Sequence, residues 1–215
     1  RRTQIVKEEA EITLEDLIAA EEVIVTISHA GYIKRNAVSL YRAQRRGGKG
    51  KIGMGIKEED FVVNLFTAST HDSLLFFTDA GKVYWLKVHE IPEASRAAKG
   101  KALVNLLALS SNEKVTATWP VKEFRDDRYI VMGTKKGVIK KTELSAFSNP
   151  RQGGIIALGL ESGDRLISVQ LTDGQREILL GTRQGLTIRF KEEEVRSMGR
   201  TAYGVKGITL EEGNE

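Results

Sequence analysis

The sequence predicts an all-β protein: a propeller-like array of about four blades, each with four strands, after one short helix. The first observation is a turn of the form Ser/Thr-x-x-Gly that occurs four times, at intervals of about 50 residues. The second is that apolar runs flank each turn, and the third is that another glycine follows each turn at a similar distance. Repeats of this length are typical of propeller blades, which bury their faces only against neighbouring blades.

The first 22 residues are predicted to be a linker followed by a short helix. Thr13 to Asp16 has the spacing of a capping box, and Leu14, Leu17 and Ile18 follow at helical spacing. We therefore expect a helix over about residues 14–20 that braces the start of the array.

Each recurring turn is predicted to be the tip of a β-hairpin. A hydroxyl residue at the first position and a glycine at the fourth favour a turn that is closed in the left-handed region. The turns are Ser28–Gly31, Thr78–Gly81, Thr134–Gly137 and Thr182–Gly185. Strands are predicted before them at 23–27, 74–77, 129–132 and 178–180, and after them at 32–33, 83–88, 138–139 and 186–190.

Two further strands are predicted to complete each unit. A third strand opens after the second glycine of each copy, which is Gly50, Gly100, Gly154 or Gly204. A fourth strand closes three copies, at 61–68, 115–121 and 166–171. After the linker and helix at 1–22, residues 23–215 thus form one domain, with blade repeats at about 23–70, 73–121, 129–172 and 177–215. Since the chain lacks an initiator methionine and the last copy stops after its third strand, we expect a piece cut from a longer protein.

Composition narrows the functional classes. The chain has 40% hydrophobic residues, 29% charged residues and 3 prolines, as expected of an ordered globular domain. It contains no cysteine, which excludes disulfides, thiolate metal sites and cysteine nucleophiles. There is no apolar run long enough for a membrane span and no signal-like segment, so we expect neither membrane insertion nor export. A net charge of +4 is too small to indicate nucleic acid by itself.

The basic residues are concentrated in the hairpins and in the long loops that follow them. If the copies stack around an axis, equivalent loops lie on one circumference and form a basic belt that suits a phosphate backbone. The alternative is that these side chains simply solvate the surface, as on most domains. The candidate DNA-binding residues of the belt are Lys34, Arg35, Arg96, Lys99, Lys101, Lys135, Lys136, Arg151, Arg183 and Arg200, and the belt also includes Lys140 and Lys141.

The long loop of the first copy carries the strongest signal for an anionic ligand. It reads Gln44-Arg45-Arg46-Gly47-Gly48-Lys49-Gly50, and the other three loops lack this run. Tandem glycines let the backbone approach a phosphate closely, and backbone N–H groups can then cradle the anion. The two arginines and the lysine supply charge, and the glutamine can add a neutral hydrogen bond. We therefore expect the first blade to hold DNA through its phosphates.

The sequence shows no catalytic constellation. His29, His71 and His89 lack metal-ligand spacing, and the tyrosines lie in predicted strands or loops. Trp85 and Trp119 are expected to pack between blades. No catalytic residue, metal or cofactor is therefore assigned to this chain. Two other classes of function stay open. An enzyme would need acid, base or metal groups that converge near the axis. A propeller that binds another protein would account for the repeats but not for the first loop.

At the first loop a resemblance to a known family becomes specific. Gln44 to Gly50 matches the gyrase A box at every position, and residues 26–35 resemble the signature of the first blade in the same family. Residues 14–19 are similar to the lead-in to that domain. The chain thus resembles the C-terminal DNA-wrapping domain of gyrase A proteins, from the bacterial type IIA topoisomerases.

The resemblance implies a β-pinwheel, a propeller variant that wraps DNA around its rim and enables ATP-dependent negative supercoiling by the holoenzyme. It also implies that ATP and Mg²⁺ are bound by other domains and that the partners are DNA, the gyrase B protein and the rest of gyrase A, in a heterotetramer. The expected location is the bacterial cytoplasm, at the nucleoid and away from membranes. The related A protein of topoisomerase IV has a degenerate or absent box, so an intact box favours gyrase over this alternative.

Overall fold

A computed structural model of the chain describes residues 14–41, 43–55 and 59–211. Within these ranges the regular structure consists of β-strands and short 3₁₀-helices. The strands are β1 (Glu22–Ser28), β2 (Tyr32–Ala37), β3 (Val62–Ser69), β4 (Ser73–Thr78), β5 (Lys82–Lys87), β6 (Lys101–Ala102), β7 (Val115–Val121), β8 (Tyr129–Thr134), β9 (Val138–Glu143), β10 (Ile155–Ile156), β11 (Leu166–Thr172), β12 (Glu177–Gly181), β13 (Thr187–Lys191) and β14 (Val205–Lys206). The 3₁₀-helices are Leu14–Leu17, Val38–Leu40, Val88–Glu90, Leu103–Asn105, Leu144–Phe147 and Glu192–Glu194.

The four predicted hairpins are confirmed. They pair β1 with β2, β4 with β5, β8 with β9, and β12 with β13, all antiparallel. In the first turn the amide of Gly31 donates to the carbonyl of Ser28 at 2.9 Å, and the Ser28 hydroxyl accepts the amide of Tyr32 at 3.2 Å. The turn glycines Gly31, Gly81, Gly137 and Gly185 have φ angles of +80°, +72°, +77° and +88°. This left-handed conformation explains why glycine ends each turn.

In the second, third and fourth copies, the third strand pairs with the hairpin of the preceding copy. The sheets have the orders β3-β1-β2-β6, β10-β5-β4-β7 and β11-β8-β9-β14, and the last hairpin forms a two-stranded sheet. The prediction that the third strand completes its own copy is therefore wrong. Glycine at position 100 permits this close return to the preceding hairpin, since a Cβ there would lie 2.4 Å from the carbonyl oxygen of Ile33.

The same backbone contacts recur where each copy meets the next. The amide of Leu103 donates to the carbonyl of Gly31 at 2.8 Å, and the amide of Ala157 donates to Gly81 at 2.8 Å. The amide of Gly207 likewise donates to Gly137 at 2.9 Å. Each of these turn glycines therefore closes its own hairpin and also accepts the following copy, so consecutive blades have a fixed spacing.

Apolar layers between the blades form the core. One layer, between the first and second blades, is centred on Val25, Ile33, Leu74 and Phe76. A second, between the second and third blades, includes Leu75, Phe77, Ile130, Met132 and Phe147, and a smaller third layer includes Val131, Ile139 and Val195.

Both tryptophans pack against the second layer, as predicted. The indole N–H of Trp85 donates to the carbonyl of Phe147 and that of Trp119 donates to the carbonyl of Val169, both at 3.0 Å. Together with the sheets and the apolar layers between them, this packing confirms the predicted all-β blade architecture.

The N-terminal segment forms less helix than predicted. It has one 3₁₀-helix, Leu14–Leu17, instead of a helix over 14–20, and Thr13 of the proposed capping box lies outside the described residues. The carbonyls of Ile18 and Ala19 bond to His71 Nε2 at 2.8 Å and to the hydroxyl of Thr70 at 2.8 Å, and β1 begins soon after. Both partners lie in the turn between β3 and β4, so these carbonyls do not continue a helix. Across the described ranges there is no helix of the length and apolar character needed to cross a bilayer.

The third strand predicted after Gly50 in the first copy is also absent from the described structure. Residues 51–55 are irregular. In the later copies this strand forms on the hairpin of the preceding copy, and within the described ranges no hairpin precedes the first copy. The pairing rule that applies to the other copies thus accounts for this difference.

The contact between copies predicts that Gly81→Ala destabilises the fold more than Gly31→Ala. Both residues have positive φ, but a Cβ at Gly81 would lie 2.6 Å from the carbonyl oxygen of Leu158, whereas nothing lies within 4 Å of a Cβ at Gly31. We expect backbone strain of about 1–3 kcal/mol in both variants and an additional loss in Gly81→Ala. Urea unfolding followed by tryptophan fluorescence measures the two free energies of unfolding, and equal losses would contradict the close-approach argument.

Candidate nucleic-acid interface

The long loops of the second, third and fourth copies cover the same edge of three successive sheets. Each loop ends in a short strand, β6, β10 or β14, that lies at the margin of its sheet beside β2, β5 or β9. Cationic side chains from equivalent loops are therefore brought to equivalent positions. We call this set the basic edge, and it consists of Arg96, Lys99, Lys101, Arg151 and Arg200.

The loop of the first copy, Gln44–Gly50, is exposed along its whole length. Its fold is set by two internal hydrogen bonds: the amide of Gly48 donates to the carbonyl of Arg45, and the amide of Gly50 donates to the Gln44 Oε1, both at 3.0 Å. Gly47 and Gly50 have φ angles of +90° and +73°. The glycines thus fold the loop tightly, and the Arg45, Arg46 and Lys49 side chains project from an exposed backbone.

The side-chain oxygen of Gln44 is bonded within the loop, whereas the sequence predicts that this side chain contacts DNA. Its carbonyl oxygen accepts the Gly50 amide inside the loop, and a Cβ at Gly48 would lie 2.8 Å from the same oxygen. This oxygen therefore shapes the loop, and the side-chain nitrogen is the part of the carboxamide that is left to donate to a ligand.

The loop of the second copy lies directly against the residues on either side of the first loop. We call these flanking residues, 40–41 and 53–55, the stem of the first loop. Arg96 Nη1 donates to the carbonyl of Leu40 at 3.4 Å, just before the first loop begins. The amide of Gly55 donates to the carbonyl of Ala98 at 3.4 Å, just after the loop ends. The ammonium of Lys99 lies 3.6 Å from the centre of the Tyr32 ring. The half-buried Arg96 and Lys99 therefore belong to the loop that contacts both ends of the first loop.

Lys34 does not belong to a DNA-binding surface, contrary to the sequence prediction. Its side chain is fully buried, and its ammonium donates to the carbonyls of Ser95 at 3.0 Å and Arg96 at 2.5 Å. Burial, together with the nearby Arg96, lowers the pKa of Lys34. The residue holds the second loop against the first blade. Its neighbour Arg35 is also largely engaged there, because its Nε donates to the carbonyl of Ile91 at 2.7 Å and its side chain is only 20% exposed.

Two lysines of the third copy repeat this arrangement, so their place in the predicted belt is also wrong. Lys140 is fully buried and donates to the carbonyls of Ala157, at 2.7 Å, and Arg200. Lys141 is buried and donates to the carbonyl of Glu192 at 3.0 Å. The third and fourth residues after the turn glycine thus bind the backbone of the next copy.

Three of the predicted residues lie at the tips of hairpins. Lys135 and Lys136 lie exposed in the turn of the third hairpin, and Arg183 lies exposed in the turn of the fourth. The Lys136 ammonium donates to the carbonyl of Ser162 at 2.7 Å. The predicted belt therefore consists of the basic edge, the first loop and a separate set at the hairpin tips.

Tyr84 and Glu113 form a titratable pair away from the basic edge and the first loop. Tyr84 is buried and its hydroxyl donates to Glu113 Oε2 at 2.9 Å. Burial and the hydrogen bond to Glu113 raise the pKa of Tyr84 to about 12. Among the described residues no group of three or more His, Asp or Glu side chains is arranged to hold a metal ion.

Comparison with protein families gives one match that covers nearly the whole chain. The family model described as "DNA gyrase C-terminal domain, beta-propeller" matches residues 22–69, 72–118, 128–173 and 176–215. These four segments correspond to the four copies of the repeat.

Full-length relatives are similar throughout the chain. It is 52% identical over 210 residues to the DNA gyrase A protein of Salmonella typhimurium, a match that covers 98% of this chain and 24% of that protein. It is 49% identical over 215 residues to the DNA gyrase A protein of Escherichia coli, covering 100% of this chain and 25% of that protein. The chain thus spans about a quarter of the length of these relatives.

Solved structures show the same architecture. The C-terminal domain of DNA topoisomerase IV superposes with a TM-score of 0.79 at 32% identity, over 92% of this chain and 60% of that one. The DNA gyrase A C-terminal domain superposes with a TM-score of 0.69 at 26% identity, over 90% of this chain and 62% of that one.

The buried ammonium of Lys140 predicts a change of stability with pH. Burial and the nearby Arg200 lower its pKa from 10.5 to about 8. Between these pH values the unfolded chain binds more protons than the folded one, so the Lys140 contribution to the free energy of unfolding increases as pH rises. The increase is at most roughly 3 kcal/mol.

We expect Lys140→Met to lose this rise, as measured by chemical denaturation at pH 7.5, 8.5 and 9.5. Lys136→Met, which removes an exposed lysine of the same copy, should retain it. The lowered pKa of Lys34 contributes a dependence of the same sign in all three proteins. Parallel curves for the wild type and Lys140→Met would contradict the assignment.

Proposed function

Because the chain belongs to the family of DNA gyrase C-terminal β-propeller domains, we propose that it binds double-stranded DNA and wraps it along the basic edge, as part of a bacterial gyrase A protein. Family membership supports the DNA-binding role. The observation that carries the proposal for wrapping is the exposed first loop, where Arg45, Arg46 and Lys49 surround a backbone folded by glycines.

Wrapping requires contacts on several blades. Bending 20–30 base pairs smoothly by 40–90° costs on the order of 1–6 kcal/mol, and a wrap includes several such bends. One loop cannot offset this cost. The basic edge supplies cations from three further loops, at equivalent positions on successive sheets. Each phosphate that they neutralise contributes about −0.9 to the slope of log affinity against log salt.

The first loop has the role of an anchor in this proposal. It fastens one end of the wrapped DNA, while the loops of later copies guide its path. An anchored end gives the wrap a fixed handedness, and in the gyrase holoenzyme this allows strand passage to introduce negative supercoils. The contacts are to phosphates, which position DNA without specifying its sequence.

The rest of the proposed assembly lies beyond this chain. The gyrase B protein and the remainder of gyrase A complete a heterotetramer, and other domains bind ATP and Mg²⁺. The relatives described above are bacterial proteins. We place the protein in the bacterial cytoplasm with the nucleoid, where its DNA substrate lies.

The A protein of a topoisomerase IV is the second candidate. The similarity to the topoisomerase IV C-terminal domain, with a TM-score of 0.79, favours it. The complete first loop favours gyrase, because in topoisomerase IV the corresponding box is degenerate or absent. The two candidates differ in whether DNA wrapping depends on this loop.

If the first loop is an anchor, removing its three charges should abolish DNA wrapping. The variant that tests this is Arg45→Ala, Arg46→Ala, Lys49→Ala. When ligase closes nicked circular DNA in its presence, the wild-type chain should produce a positive shift in linking number that fades as salt increases. The triple variant should lose the shift and retain salt-sensitive binding through the basic edge, because only the anchor is removed.

The matched control removes the same charge from the loop between the second and third copies. It is the variant Lys122→Ala, Arg125→Ala, Arg128→Ala, whose residues are exposed. This control should keep the wild-type shift. A shift that persists in the anchor variant would contradict the anchoring role, and the absence of DNA binding by the wild type would favour a protein-interaction propeller.

A further inference from the structure

The loop of the second copy contacts both ends of the first loop. From these contacts we infer that residues 92–99 act as a brace that positions the first loop for DNA, and that Gly55 is the positioning residue on which the brace acts. The inference rests on the proposed function, because it concerns how the anchor is oriented toward DNA.

Gly55 provides the contact at the exit of the first loop. A Cβ at this position would lie 2.1 Å from the carbonyl oxygen of Ala97 and 3.2 Å from its carbonyl carbon. The Gly55 amide donates to the carbonyl of Ala98. No side chain fits at this distance from a backbone oxygen, so any residue other than glycine must push the exit of the loop away from the brace.

A second pair of contacts fixes the entry of the first loop. Arg96 Nη1 donates to the carbonyl of Leu40 at the end of the 3₁₀-helix. The Tyr41 hydroxyl donates to the carbonyl of Gly53 at 3.3 Å, which joins the entry to the exit. The stem of the loop is thus closed on itself and held by the brace on both sides.

The brace is in turn fixed to the first blade by buried polar groups. The Lys34 ammonium donates to two carbonyls of the brace, those of Ser95 and Arg96. The Asn36 side chain donates to the carbonyl of Ala94. Because these groups are buried and bonded, displacing the brace would leave them without partners. The brace is therefore a rigid support.

The support given by the brace increases the affinity of the first loop for DNA. With the stem held, the charges of the first loop and the neighbouring Arg96 and Lys99 form one arrangement before DNA arrives. A loop released from the brace must be ordered when DNA binds, and that ordering reduces affinity. Gly55 therefore affects binding without contributing a charge or a ligand contact.

The test compares Gly55→Ala with Gly153→Ala, in the corresponding loop of the third copy. A Cβ at Gly153 would meet nothing within 4 Å. In Gly55→Ala we expect the slope of log affinity against log salt to become shallower by roughly 2–3, because the three charges of the anchor no longer meet phosphates together. The linking-number shift should disappear, and the Gly50 amide should exchange faster with solvent. Gly153→Ala should keep the wild-type values, and wild-type values in Gly55→Ala would overturn the brace.

The triple alanine variant of the anchor separates this inference from the proposed function. If the wild-type chain does not bind DNA, the proposed function fails. If the triple variant binds and wraps DNA normally, the anchoring role fails and the brace fails with it. If the triple variant loses wrapping and Gly55→Ala does not, the brace alone is wrong. When Gly55→Ala is added to the triple variant, we expect no further change in the salt slope, since the two changes act on the same contacts. An additive loss would overturn the inference.

A second variant decides the question if Gly55→Ala fails to fold, as judged by its circular dichroism and melting temperature. Arg96→Lys keeps the positive charge but replaces the guanidinium that reaches the carbonyl of Leu40. A reduced linking-number shift supports the brace, because a side chain that only neutralises a phosphate retains its charge in this variant. A wild-type shift in Arg96→Lys would overturn it.

Discussion

The exchange of a short strand between consecutive copies is the constraint on which the rest of the structure depends. The carbonyls of Gly31, Gly81 and Gly137 each accept amides from the copy that follows, so a four-stranded sheet always contains strands from two copies. No copy can complete its sheet alone, and the spacing between blades is set by backbone hydrogen bonds in addition to apolar packing. The exchange also carries each long loop to the edge of the preceding sheet, and in this way it places the cations of the basic edge.

Positive charge has two separate roles in this arrangement. Lys34 and Lys140 lie in strands and are buried, and each ammonium group donates to a backbone carbonyl of the next loop, that of Ser95 or Arg200. Arg96 and Arg200 lie in those loops and remain partly exposed. The buried cations determine where the loops lie, and the loops then present the cations that are available to a phosphate backbone. A count of basic residues does not distinguish these roles, whereas the hydrogen-bond partners do.

The hairpins and the first loop could be predicted from the sequence because both depend on local chemistry. A hydroxyl residue and a glycine specify each turn, and β7 has the predicted bounds, Val115–Val121. The sequence does not predict the exchange of strands between copies, because chain order does not reveal which hairpin a strand joins.

The burial of Lys34 could not be predicted from this residue alone, because a lysine in a strand usually faces solvent. A signal was present: Tyr84 occupies the position of Lys34 and Lys140 in the second copy, and an aromatic residue there indicates that the position faces inward. The helix over 14–20 was overpredicted because tertiary bonds to Ile18 and Ala19 compete with helix formation.

The contacts that build the basic edge also bring like charges close to one another. Burial lowers the pKa of Lys34 and of Lys140, and the nearby charge of Arg96 or Arg200 lowers it further. Like charges at such positions repel each other, and the repulsion is compensated in the fold by carbonyl hydrogen bonds. A phosphate placed against the loop arginine would reduce that repulsion from the outside. The same residues that hold consecutive copies together therefore make the proposed binding of DNA stabilising for the fold, since a ligand that binds the folded state alone shifts the equilibrium toward it. In this arrangement the binding surface and the contact between copies are energetically one unit.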